Sequence, residues 1–313
     1  MSRSPSYSGG MDTVGAEERA ALVALLQVRP QGLPWGEITA RVVEVGSALD
    51  VWDRLVPPTL VEAPGESSPL EAAAHDISVW TDQGHTVLTV LDDRYPERLR
   101  EVHQAPPVLF ARGSLLPDDT AVSVVGSRAA SEHGMEFAAS VAKDLVHRKV
   151  TVLAGLAAGI DTAAHRAALD AGGRTVAVIG TGINKVYPAA NKELHREISA
   201  RGLLLSQFWP DAPPQKHTFL MRNATMSGYG MATVVVEAGE HSGARTQARM
   251  AVEHGRPVIL TNMVVRANAW ARALVGRPGV HTAGTVDDVS KIVDDLVKRE
   301  SVLEDDLRRL VSP

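Results

Sequence analysis

Residues 150–182 read VTVLAGLAAGIDTAAHRAALDAGGRTVAVIGTG, and this stretch decides the fold. Val150–Ala154 and Arg174–Gly180 are short apolar runs, of strand rather than helix length and rich in Val. Between them Ala163, Ala164, Ala167 and Ala168 recur at helical spacing over 161–171. Strand, glycine-bounded loop, helix and strand make a βαβ unit. Strands that are apolar on both faces imply a parallel sheet covered by helices on both sides. Working outward, Ala121–Gly126, Leu203–Ser206, Thr233–Glu237 and Pro257–Thr261 read as further strands. Ala244, Ala248, Ala251 and Val252 mark another helix. Residues 120–282 are therefore expected to form a doubly wound, mainly parallel α/β domain.

The flanks read differently. Residues 1–15 are polar and carry no apolar core for a signal peptide, so a disordered tail is expected. Residues 16–62 read as a small helical domain. Leu22, Leu25, Leu26 and Val28 form an apolar cluster, Trp35 to Ile38 starts another helix, and Pro57-Pro58 ends the series. Residues 63–119 form a linker and lead-in, with Ala63-Pro-Gly-Glu-Ser-Ser-Pro69 as linker, a helix over 70–83 and a strand over 86–91. Residues 283–313 form a helical segment with Val286, Val289, Val293, Leu296 and Val297 on one face. Leu303, Leu307, Leu310 and Val311 continue that spacing after an expected break near Glu300. This segment reads either as a helix packed on the sheet or as a partner or dimer helix.

Composition excludes several classes. The chain has no cysteine, which removes disulfides, thiolate metal sites and Cys nucleophiles. Its histidines form no H-E-x-x-H pattern, and no site calls for a metal or cofactor. No apolar run is long enough to span a membrane, so a cytoplasmic protein is expected. The formal net charge of −5 gives no bulk attraction for nucleic acid, so a local basic site would have to supply it.

In such a sheet ligands bind beyond the carboxyl ends of the strands, which directs attention to five loops. After the first strand stand Gly126, Ser127 and Arg128. The glycine would let the backbone turn sharply, the following amides would face an anion, and Arg128 adds a forked cation suited to phosphate. Taken alone, a plain strand–helix turn fits equally well. After the second strand, Asp161 suits a helix cap and His165 a structural role. The third loop carries Gly180, Gly182 and Lys185, with Lys185 where a dinucleotide fingerprint needs its last glycine. Lys185 reads as a phosphate contact or as a solvated lysine.

The stretch Lys216-His-Thr-Phe-Leu-Met-Arg-Asn223 is the most informative. Lys216, His217 and Arg222 surround Phe219 with no acidic residue among them. Cations tracking phosphates beside a ring that stacks a base are what a single strand needs. Phe219 reads as platform or as core, and Asn223 as a contact for a base edge or a cap. The last loop, with Ser242 and Gly243 at a helix start, can receive phosphate. Arg245 and Arg249 follow on that helix. Glu237 reads as a catalytic carboxylate or as an acceptor that holds a loop.

Together the segments VVGSRAASEHG, VLAGLAAGIDTAAHRAALDAGGRTVAVIGTGINKVYP, LLLSQFWP, KHTFLMRN and VVVEAGEHSGARTQARMAVEHGRPV resemble the DprA/Smf family of DNA-processing proteins. The resemblance covers about residues 90–262. It implies an extended Rossmann-like domain that binds single-stranded DNA, helps to load the RecA recombinase during transformation, commonly dimerises and catalyses no reaction. Carried over by motif, Gly126, Ser127 and Arg128 match its phosphate-contacting turn. Lys216, Phe219, Arg222 and Asn223 match its DNA pocket.

Three departures stand out. Ala224 replaces a cation of the family's usual R-N-R, and the glycine-rich continuation after Asn262 gives way to Met263–Trp270. Both fit a divergent paralogue. No winged-helix domain is expected after the sheet. The competing reading is a LOG-like nucleotide phosphoribohydrolase or a nucleotide sensor. In the turn Glu240 to Arg249, however, an Arg stands where that chemistry needs a Glu to stabilise the developing sugar cation.

Overall fold

Proline and glycine punctuate the N-terminal helices. The computed structural model describes residues 13–57, 67–116 and 118–311, excepting the side chains of 13, 14, 304, 305, 307, 308, 310 and 311. Helix α1 (Thr13–Val28) stops at a tight turn over Pro30–Gly32, α2 (Trp35–Val45) ends on left-handed Gly46, and α3 (Ala48–Leu55) starts on a Ser47 cap. Leu22, Leu25 and Leu26 are buried, as are Ile38, Val42, Val51 and Trp52. Val28 is only partly so. The Trp35 indole donates to the Leu26 carbonyl at 3.0 Å.

The expected linker ends sooner than its composition suggests. Ser68 and Glu71 form a reciprocal capping box that starts α4 (Pro69–Asp82), with Pro69 in the first turn, where its missing N–H costs nothing. Residues 63–66 of that linker lie outside the described residues. So do residues 1–12 of the expected disordered tail, whereas residues 13–15 already belong to α1. Strand β1 (Thr86–Thr89) follows α4. The chain divides into two compact units, residues 1–95 with 106–109, and residues 96–105 with 110–313.

In the second unit, α5 (Glu97–Arg100) precedes β2 (Val108–Gly113), whose last four residues belong to this unit and pair antiparallel with β6 (Leu203–Ser206). The remaining strands are parallel: β3 (Ala121–Val125), β4 (Thr151–Ala154), β5 (Thr175–Val178), β7 (Ala232–Val235), β8 (Val258–Thr261) and β9 (Val280–Ala283). Their order is β2-β6-β5-β4-β3-β7-β8-β9, a mixed, mainly parallel Rossmann-like sheet. The periodicity missed β2 and β9. β2 falls in the lead-in, where its buried apolar stretch Val108–Ala111 directly follows Pro106-Pro107, and β9 is a short edge strand that is mostly part-exposed and no continuous apolar run.

Helices α6 (Glu132–His147), α7 (Ile160–Asp170), α8 (Lys192–Arg201), α9 (Lys216–Tyr229) and α10 (Gly243–Glu253) cross between strands. The alanines read as helical, Ala164, Ala167 and Ala168, join Val122, Val124, Val152 and Val234 in one buried core. Small side chains there let helix and sheet approach closely. The segment after β8 forms α11 (Asn262–Ala267) and α12 (Ala269–Leu274), started by the Thr261 hydroxyl accepting from the Val264 amide. Helix α13 (Val286–Val311) runs through Glu300 without the expected break. The Arg98 guanidinium pairs with Glu300 there at 2.5 Å. Val289 and Val293 are buried, Leu303 is exposed, and the side chains of Leu307, Leu310 and Val311 lie outside the described residues.

Candidate nucleic-acid interface

Strand order sets where the loops meet. The sheet runs outward from β3 in both directions, towards β4 on one side and β7 on the other, so β3/β7 is its topological switch point. The loops leaving these two strands splay to opposite faces and open a cleft of about 780 Å³ at their carboxyl ends. The turn after β3 contributes Gly126, Ser127 and Arg128, and the start of α10 contributes Ser242 and Gly243. Helix α9 forms one wall. Lys216, Phe219, Asn223 and Met226 recur along it three or four residues apart, which places them on one face. Arg222 lies deeper. Arg128 and Lys216, far apart in sequence, line one cleft.

Phe219 is half-buried, with its ring accessible from the cleft. The Arg128 guanidinium carbon lies 5.4 Å from its ring centroid, within cation–π range, and the Tyr187 ring is 5.3 Å away and tilted by 48°. Leu220, Met221 and Tyr187 are exposed nearby, so the reading of Phe219 as core does not hold. Tyr187 carried no sequence signal: it follows a G-x-G loop whose Lys185 drew the attention.

Lys185 is not in the cleft lining; its ammonium pairs with the exposed Asp211 carboxylate at 3.0 Å. Arg222 is a second correction. It is a buried strut whose Nη1 donates to the carbonyls of Gly155 (2.6 Å) and Val178 (2.7 Å), while Nε donates to Asn223 Oδ1 (3.2 Å). Burial lowers its basicity, an effect that Asp161 opposes. Its charge therefore forms the floor of the cleft and does not reach out to a phosphate. Asp161 is not a helix cap. Its Oδ2 accepts from the amides of Gly155 (2.9 Å) and Ala157 (3.3 Å), and burial raises its carboxyl against the pull of Arg222. His165 is structural, with Nδ1 2.7 Å from Thr175 Oγ1 and its imidazole pushed down to about 3 by burial and by Arg222.

Glu237 settles what the first turn can do. Its carboxylate accepts from the Ser131 amide (3.0 Å) and hydroxyl, so the N-terminus of α6 already holds an anion. The Ser127 amide donates to the Glu237 carbonyl at 2.7 Å. Gly126 serves close packing, not a sharp turn: a Cβ there would meet Ile160 at 2.5 Å and the Glu237 carbonyl at 2.6 Å. The helix start open to the cleft is that of α10. Its Ser242 cap accepts from the Ala244 amide, with Gly243 beside it. Arg245 donates to the Glu240 carbonyl, Arg249 pairs with Glu253, and neither lines the cleft.

The two departures within the sheet domain take on physical meaning. Ala224 is buried and does not line the cleft. The replaced segment after Asn262 braces the cleft loop from behind. The Asn268 amide donates to the Ala238 carbonyl at 2.8 Å, and the Ala269 amide to the Glu240 carboxylate at 3.1 Å. Among the described residues there is no acidic or histidine cluster that could hold a metal and no helix long and apolar enough to cross a membrane.

A Rossmann-like sheet with exposed cations, an accessible aromatic ring and an open helix N-terminus at its switch point defines a protein suited to an anionic ligand that carries flat rings. The family model of DNA recombination-mediator protein A matches residues 86–293, and the chain belongs to that family. It is 43% identical over 171 residues to DNA processing protein DprA of Streptococcus pneumoniae, covering 54% of this chain and 60% of that one. It is 36% identical over 249 residues to a putative DNA processing protein DprA of Mycobacterium tuberculosis, covering 75% and 64%. The alignments thus span less than two thirds of these relatives. The solved structure of the pneumococcal protein superposes with a TM-score of 0.64 at 29% identity, covering 88% of this chain and 94% of that one. DNA processing protein A from Helicobacter pylori, described for its single-stranded DNA binding mode, shares the fold at 21% identity and TM-score 0.60, covering 69% and 96%.

Proposed function

We propose that this chain binds single-stranded DNA in the switch-point cleft and acts as a recombination mediator, passing the strand to RecA, without catalysing a reaction. The observation that carries this reading is Phe219, accessible in the cleft and flanked by Arg128 and Tyr187, with Lys216 on the same wall. A ring stacks any base and the cations follow any backbone, so the site binds strands with little regard to sequence. Family membership and the named relatives support the DNA ligand. The assignments of Gly126, Ser127, Arg128, Lys216, Phe219, Arg222, Asn223, Ser242 and Gly243 belong to the same proposal. Arg222 supplies field and support, and Gly126 and Ser127 supply the shape of the turn. The carboxylates near the cleft, Asp161 and Glu237, accept amide hydrogen bonds that hold loops, which suits a binder. Homodimerisation and a cytoplasmic location complete the reading.

The test is a salt-titrated oligonucleotide binding assay. Arg128→Ala and Lys216→Ala are each expected to weaken unrelated sequences equally and to lower the slope of log affinity against log salt by roughly 0.7. A mononucleotide competitor is expected to compete weakly. Unchanged affinity and slope in both variants would remove the cleft as the DNA site. Tight mononucleotide binding that displaces DNA would favour the nucleotide-sensor reading, and released free base the hydrolase.

A further inference from the structure

We propose that Gln247 is a hydrogen-bonding contact for a nucleobase in this cleft; the inference rests on the single-strand reading and deepens it. Gln247 lies on α10, four residues after Gly243 and three after Ala244, on the helix face that meets the cleft. It is 1% exposed, yet neither its Oε1 nor its Nε2 has a hydrogen-bond partner. Among the described residues it is the one side chain with two buried polar atoms left unpaired, one a donor and one an acceptor. It is also the one residue with an unpaired buried polar atom that lines the cleft. Burying a primary amide unpaired is costly, and native proteins seldom leave such groups without a use.

The chemistry of the missing partner follows from the amide. Its oxygen accepts and its nitrogen donates side by side, so it matches a ligand edge that offers an adjacent donor and acceptor. Phosphate has no such donor at neutral pH. The pairing edge of each DNA base has both: N6–H and N1 of adenine, N4–H and N3 of cytosine, N1–H and O6 of guanine, N3–H and O4 of thymine. Because the amide can be turned over, it suits all four bases, as a site indifferent to sequence requires. Phe219 and Tyr187 supply rings for the flat face, the α10 start and Lys216 face the phosphate, and Gln247 takes the edge.

The test uses the full chain, oligothymidylate and the same oligonucleotide carrying difluorotoluene, a thymine isostere of equal charge and shape with little capacity to hydrogen-bond. Gln247→Leu and Gln247→Met keep the volume and remove the amide, and thermal melts show whether they fold. The unaltered chain is expected to favour oligothymidylate by about fivefold or more, the worth of one or two hydrogen bonds. Both variants are expected to melt no lower than the unaltered chain and to lose that preference. A preference that survives in the variants, or melts that fall by many degrees, would overturn the proposal in favour of a structural glutamine. Tight, salt-dependent binding by the unaltered chain that ignores the isostere would sink this inference alone. No oligonucleotide binding at all would sink the single-strand reading with it.

Discussion

Replacing Arg222 by methionine separates two accounts of the most conspicuous cation in the cleft motif. If the guanidinium were a phosphate contact, its loss would weaken DNA binding and leave stability almost untouched. The structure assigns it a different task. Its Nη1 satisfies two buried backbone carbonyls, those of Gly155 and Val178 at the ends of β4 and β5, and its charge opposes the buried Asp161 carboxylate. A buried carbonyl left without its donor costs about 1–3 kcal/mol, so two such losses come to roughly 2–6 kcal/mol before Asp161 is considered. For a unit of this size that is a fall in melting midpoint of roughly 4–24 °C. Thermal and urea unfolding of Arg222→Met should show it. Lys216→Met, at an exposed helix start, is expected to stay within about 0.5 kcal/mol of the unaltered chain. Adding Asp161→Asn to Arg222→Met should recover part of the loss, because the stranded carboxylate is removed. An Arg222→Met variant as stable as Lys216→Met would refute the strut.

Two further outcomes follow. A Cβ at Gly180 would stand 2.5 Å from Cδ1 of Phe219, so Gly180→Ala is expected to push the ring from its place. It should weaken oligonucleotide binding by up to the roughly 1–3 kcal/mol of one base–aromatic stack; unchanged affinity would show that Phe219 is no platform. His165, held near 3 in the fold against 6.5 in the free side chain, stays neutral where the unfolded chain takes up a proton. Its contribution is complete above about pH 6.5 and is lost as pH falls towards 3, with a slope of about 1.4 kcal/mol per pH unit. Urea unfolding between pH 6 and pH 4 should show His165→Asn with a shallower decline by that one-proton slope, and parallel declines would contradict the burial argument.

Legibility followed the range of the interactions. The parallel strands announced themselves because a strand buried on both faces must be apolar throughout, as in Val150–Ala154. Ala163, Ala164, Ala167 and Ala168 marked α7 because only small side chains let a helix lie so close to the sheet. β9 was hidden because an edge strand needs no such run, and β2, although its Val108–Ala111 is apolar and buried, was hidden behind the Pro106-Pro107 pair of the lead-in. α13 was read as broken at Glu300, where a carboxylate falls amid apolar spacing; the Arg98 guanidinium pairs with it and the helix continues.

The site was legible as a set of turns but not as an arrangement. Lys185, Arg222 and Lys216 look alike in a sequence; tertiary structure sends the first to Asp211, buries the second and leaves the third in the cleft. Glu237 occupies the helix start that the G-S-R turn seemed to offer to a phosphate, a contact across 106 residues that no local pattern encodes. Tyr187 and Gln247 gained meaning only from their neighbours. Residue type and spacing determined which segments are strands and helices and which loops must lie beyond the strand ends, because those follow from short-range sterics and burial. Which cations keep their charge in solvent and which polar atoms go unpaired was decided by strand order alone, since desolvation depends on whatever distant chain the fold packs against a group.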